Sequence, residues 1–224
     1  MREILRWFGL LSGWPIQWLF FKRKTYYENK KKQGRIVKGG ALIISNHYSV
    51  WDYIQNVFLF PFRKLYVVMS EEIFKKGGFF EWSKKIYGGI KSDRDVHGMR
   101  FIDESVALLE RGKLVQIYPE AYITTDGEMH DFKTSYIIIA LRANVPIIPV
   151  MIDGNYGIFK RSHLIIGESI NLNDYCTSLN PSREEIMALN EMVETKARQL
   201  KADLDMRVER DRSKRKRRKK EHSK

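Results

Sequence analysis

The chain has 224 residues, enough for one sizeable α/β core and short for two independent domains. Forty Lys and Arg against 27 Asp and Glu give a formal charge of +13, which selects anionic partners: phospholipid headgroups, phosphorylated substrates or nucleic acid. A mean hydropathy of −0.41 excludes a multi-span membrane protein, and the single cysteine, Cys176, excludes an intrachain disulfide and makes a cytosolic setting the simpler expectation.

The first segment, Ile4 to Phe21, is strongly apolar yet contains Arg6, Gln17 and Gly13-Trp14-Pro15, which a simple spanning helix does not combine. Trp7, Trp14, Trp18 and Phe20 are bulky, and no small-residue cleavage site follows them, which argues against a signal peptide. Indoles favour the lipid–water boundary, and these precede Lys22-Arg23-Lys24 and then Lys30-Lys31-Lys32. Residues 1–33 are therefore expected to form an interfacial helical hairpin in one leaflet, with a core helix packed on the domain as the alternative.

Residues 34–178 read as a single α/β domain. Apolar runs predict strands at Ala41 to Ser45, Leu65 to Met69, Leu114 to Tyr118, Ile147 to Ile152 and Leu164 to Ile166. Helices are expected from about Val50 to Phe58, from Gly98 to Arg111 with Gly112 as its stop, and from Phe132 to Ala143, apolar nearly all round and so buried. This alternation predicts a mixed, mostly parallel sheet flanked by helices. Over residues 179–210, Ser182-x-x-Glu185 is a capping box opening a long helix whose apolar positions run from Ile186 to Leu204. Residues 211–224 hold eight cations in the nine residues Arg212 to Lys220 and are expected to be a disordered basic tail. Such a tail is either a solubilising end or attracted to anionic lipid, with nucleic acid the lesser candidate.

Chemistry gathers just past strand ends. In Ser45-Asn46-His47-Tyr48-Ser49-Val50-Trp51-Asp52, an imidazole and a carboxylate five residues apart need a turn between them to meet, and a strand–loop–helix junction supplies one. Asp52 would then fix the tautomer of His47 and leave the other ring nitrogen to take a proton. The alternative makes Ser49-x-x-Asp52 a plain helix cap and His47 an ordinary loop residue. The run from Gly88 to Asp95 offers Lys91 and Arg94 to a phosphate, or an ion-paired turn with Asp93 and Asp95. Tyr118-Pro119-Glu120 ends a strand with a carboxylate, and Lys133 precedes the buried helix. The five histidines, at 47, 97, 130, 163 and 222, show no metal-ligand spacing, so no metal or other cofactor is expected. A dinucleotide glycine fingerprint and a Gly-x-Ser-x-Gly elbow are both missing from the sequence.

Together, in this order, the clusters resemble the glycerolipid acyltransferase family, which acylates 1-acyl-glycerol 3-phosphate. Its Asn-His-x-x-x-x-Asp block is matched by Asn46, His47 and Asp52, and its glycine block by Gly88, Gly89, Ile90 and Arg94. Its Pro-Glu-Gly-Thr-Arg block keeps only Pro119 and Glu120, with Ala121, Tyr122 and Ile123 following, and its apolar strand with proline is matched by Val145 to Val150. The later Phe-Lys-x-Gly element ends in Ser135. The resemblance spans residues 36 to 155. It implies acyl transfer from an acyl-CoA or acyl carrier protein thioester to the hydroxyl of lysophosphatidic acid or a related lysophospholipid. In that reading His47 and Asp52 are catalytic, Lys91, Arg94 and Lys133 hold phosphate, and Glu120 organises the acceptor side. It also implies a peripheral or monotopic place on the cytoplasmic face of an anionic cell membrane. The competing expectation is a lipid- or nucleic-acid-binding protein that keeps the fold without catalysis.

Overall fold

The structure is a computed structural model and describes residues 2–60, 62–70, 88–92, 100–124, 127–157, 160–176 and 181–222. Its elements in chain order are α1 (Arg2–Phe21), β1 (Lys24–Tyr27), β2 (Ala41–Ile44), α2 (Trp51–Val57), β3 (Leu65–Ser70), β4 (Gly89–Ser92), α3 (Arg100–Glu110), β5 (Leu114–Ile117), α4 (Ser135–Ala143), β6 (Ile147–Ile152), β7 (His163–Ile166) and α5 (Arg183–His222).

The strands form one sheet in the order β1-β7-β6-β2-β5-β3-β4. β6, β2, β5, β3 and β4 run parallel, β7 is antiparallel to β6, and β1 is parallel to β7. The central strands are buried on both faces, so they read as continuous apolar runs rather than alternating ones. Leu42, Ile44, Val115, Ile117, Ile147 and Met151 face α3, α4 and α5. Ile43, Leu114, Ile148 and Val150 face the opposite side with Leu59 and Phe60 just past α2. α3 ends at Gly112, whose φ of +70° lets its N–H donate to Leu109 O at 2.8 Å. The Ser182/Glu185 capping box forms reciprocally, at 2.8 and 3.2 Å.

Four expectations are corrected. Residues 2–21 make one helix with Pro15 inside it, not a hairpin. Pro15 and Leu11, four residues before it, are both exposed, so the backbone bond that proline removes lies on the outward side. Gly13 is needed for close approach and not for a turn: a Cβ there would lie 3.0 Å from Phe58. Lys24-Thr25-Tyr26-Tyr27, expected within the N-terminal segment 1–33, is an edge strand rich in β-branched and aromatic residues, so the sheet begins before residue 34. Gly89 to Ser92, expected as a ligand loop, is the opposite edge strand. Finally, the basic tail is helical to His222. The packed part of α5 provides the nucleus, so adding Lys and Arg, both good helix formers, costs little, and Arg217 with Glu221 at 3.2 Å adds an i,i+4 pair.

Candidate active site

Every parallel strand ends at the same edge, and the chain's reactive groups collect there. β2 delivers Asn46, whose side chain continues the sheet in place of backbone: Nδ2 donates to Ile152 O at 3.1 Å and Oδ1 accepts from Ile152 N at 2.9 Å. This pins the next residue, His47. The chain then turns into α2, which carries Asp52 in its first turn, where a carboxylate favours the positive end of the helix.

His47 Nδ1 lies 3.0 Å from Asp52 Oδ2. The same oxygen accepts the backbone N–H groups of Tyr48 at 2.7 Å and Ser49 at 2.9 Å. Asp52 therefore both satisfies backbone N–H groups of the turn into α2 and contacts the imidazole. Asp52 is fully buried, and the His47 side chain keeps 16% exposure, so only the imidazole is open to a substrate. With Nδ1–H turned to the carboxylate, the lone pair resides on Nε2. The imidazole also stacks on Tyr118, centroids 4.0 Å apart and planes 17° apart, which fixes the plane of the ring.

Tyr156 was missed in the sequence reading. Its hydroxyl donates to Asp52 Oδ1, so both carboxylate oxygens are held. Burial first, and then the negative field of Asp52, push the Tyr156 phenol far above its ordinary range and keep it a neutral donor. Tyr118 is raised by the same two causes. The signal for Tyr156 lay in position alone: the loop 153–156 leaves β6 at the edge that holds His47.

Glu120, expected on the acceptor side, is instead fully buried behind His47. Oε1 accepts His47 N–H at 3.1 Å, and Oε2 accepts Thr124 Oγ1 and His130 N–H, each at 2.9 Å. Thr124 N–H in turn donates to His47 O at 2.8 Å. Glu120 thus positions the backbone of His47. Lys91 is exposed at the end of β4, three strands from β2, about 14 Å away at ordinary strand spacing. Lys133 is exposed, with its N–H on Pro119 O at 2.9 Å. Arg94 lies outside the described residues.

Two arginines fix the far end of α2. Arg23 donates to Gln55 O at 2.7 Å and Phe58 O at 3.0 Å, and Arg35 to Leu59 O at 2.5 Å and Phe58 O at 3.2 Å. Burial, then repulsion from Arg35, lowers Arg23 to about 10, so it stays charged at neutral pH. The rim of the site is apolar and exposed: Val50 and Trp51 on one side, Tyr122 and Ile123 on the other. Phe20 of α1 meets Trp51 at 5.4 Å, joining this rim to an outward stripe of Ile4, Phe8, Leu11 and Trp18 at helical spacing. No helix among the described residues is long and apolar enough to cross a membrane.

A family model described as Acyltransferase matches residues 19–153. A 1-acyl-sn-glycerol-3-phosphate acyltransferase of Bacillus subtilis is 26% identical over 78% of this chain and 87% of its own length. A putative 1-acyl-sn-glycerol-3-phosphate acyltransferase of Caenorhabditis elegans is 31% identical over 57% of this chain and 44% of its own. Among solved structures, the 1-acyl-sn-glycerophosphate acyltransferase PlsC of Thermotoga maritima superposes with a TM-score of 0.62 at 22% identity, covering 90% of this chain and 83% of that one.

Proposed function

The chain belongs to the acyltransferase family, and on that premise we propose that it moves a fatty acyl group from an acyl thioester to the free hydroxyl of lysophosphatidic acid or a related lysophospholipid. The observation that carries the reading is the His47–Asp52 contact, with a fully buried carboxylate and a reachable imidazole. His47 Nε2 accepts the hydroxyl proton as that oxygen attacks the thioester carbonyl. The tetrahedral intermediate collapses, the C–S bond breaks, and the imidazolium returns its proton to the departing thiolate. Asp52 holds the ring and balances its charge throughout, and no acyl-enzyme is needed.

Phosphate recognition falls to Lys91, Arg94 and Lys133, since Ile123 stands where the family pattern has arginine. The donor is acyl-CoA or an acyl carrier protein thioester. The exposed stripe of α1 and the apolar rim support a peripheral place on the cytoplasmic face of an anionic membrane, α1 lying in the interface and the site opening toward lipid. The altered residues Ala121, Tyr122 and Ile123 favour a second reading, a lipid-binding protein that has kept the fold without turnover.

Acyl transfer from labelled acyl-CoA and acyl carrier protein to a panel of lysophospholipids in detergent micelles separates the two. Diacyl product from at least one acceptor is expected. No product from any pair, with protein shown to be folded, overturns the enzymatic reading.

A further inference from the structure

The end of α5 lies beyond anything the reaction uses. Its last core contact is Val208, yet the helix continues to His222, an overhang of roughly 20 Å at the usual rise. Between Arg212 and Glu221 the chain carries eight Lys and Arg against one carboxylate. Arg212, Lys214, Arg215, Lys216 and Arg217 are exposed.

Where this overhang leaves the fold follows from the sheet register. β1 pairs Lys24 with His163 and Tyr27 with Ile166, and β7 runs against β6, so Lys24 stands at the edge where β6 ends, the edge of His47. Arg207 of α5 donates to Tyr27 O at 3.0 Å. One turn later Asp211 pairs with Lys24 and accepts the Tyr26 hydroxyl at 2.6 Å. The helix is therefore travelling from the Tyr27 end of β1 toward its Lys24 end, and the residues after 211 emerge at the catalytic edge. Lys24 itself closes the run Lys22-Arg23-Lys24 that follows α1.

We propose that residues 210–222 are a preformed basic prong that docks the catalytic edge onto an anionic phospholipid bilayer. Charge complementarity selects an anionic surface, and the exposed apolar stripe of α1, the helix that leads into Lys24, selects lipid over nucleic acid, which would leave that stripe uncovered. That this bilayer also carries the acceptor rests on the acyl-transfer reading.

The test compares the full chain with a variant in which Lys214, Arg215, Lys216, Arg217 and Arg218 are changed to Gln. Co-sedimentation with vesicles containing phosphatidylglycerol is expected to weaken at least tenfold at low salt, and the difference to vanish at high salt, with no change on pure phosphatidylcholine. Acyl transfer to vesicle-borne acceptor should fall with binding, while turnover in detergent micelles stays at the wild-type value. Unchanged vesicle binding, or cation-dependent binding seen only with an oligonucleotide, overturns the prong. Micelle turnover missing from the wild type as well overturns the acyl-transfer reading instead, and leaves the binding result to judge the prong alone.

Discussion

At the scale of single residues, Asp52 Oδ2 both holds the backbone of the turn into α2 and contacts the His47 imidazole, so a substitution there is expected to disturb the proposed catalysis and local folding together. Glu120 is similar: it holds the His47 and His130 backbone from a fully buried position. Ala121, between Glu120 and the apolar rim, tells a different story, because it adopts φ +64° where the family pattern has glycine. An L-residue there is strained by roughly 1–2 kcal/mol, while glycine gains about 0.4–1 kcal/mol of unfolded-state freedom. Ala121→Gly should therefore raise the melting midpoint by about 2 °C in calorimetry, and a fall would show that the strain is absent. The His47–Asp52 pair was legible because its spacing is local and a strand-to-helix turn could be read around it. Tyr156 was not, since its bond to Asp52 joins positions far apart in sequence with no pattern between them. Glu120 was found by its place at a strand end, but its partners on the His47 and His130 backbone were not, because burial is a tertiary quantity.

At the scale of elements, periodicity located the five inner strands and all of the helices that carry the core. It failed on the two edge strands, where Lys24 and Lys91 interrupt the apolar signal as edge strands commonly require. It failed too at Pro15 and in the basic tail, where an outward-facing proline and an already nucleated helix outweigh local preference. The junction of α3 with β2 depends on one residue: a Cβ on Gly40 would stand 2.2 Å from Leu109 O, a contact no rotamer can relieve. Gly40→Ala should cost about 2–3 kcal/mol, read as a lower urea midpoint at constant slope. A midpoint equal to wild type would mean that α3 shifts freely on the sheet. Such a shift would be hard to reconcile with Leu109 buried in the core.

At the scale of the molecule, one edge of one sheet gathers the base, its carboxylate, the apolar rim, the end of α1 and the root of the basic helix. The ion pair at that root is durable. Hydrogen bonds from Lys24 and Tyr26 hold Asp211 down at about 2, and a depressed carboxylate contributes stability above its unfolded value that is lost only as pH falls through the folded one. The root of α5 therefore stays fastened at every pH at which the enzyme would act. Fold class was legible because strand and helix alternate; the shared edge was not, because it depends on the register of β1 and β7, which no local pattern encodes.

The proposed role of His47 as general base is tested by acyl transfer by wild type and His47→Ala in detergent micelles, with circular dichroism to establish that both are folded. A loss of at least about 10²-fold in turnover is expected for the variant. Equal turnover in the two proteins would remove His47 from the mechanism, and with it the reading of this edge as an active site.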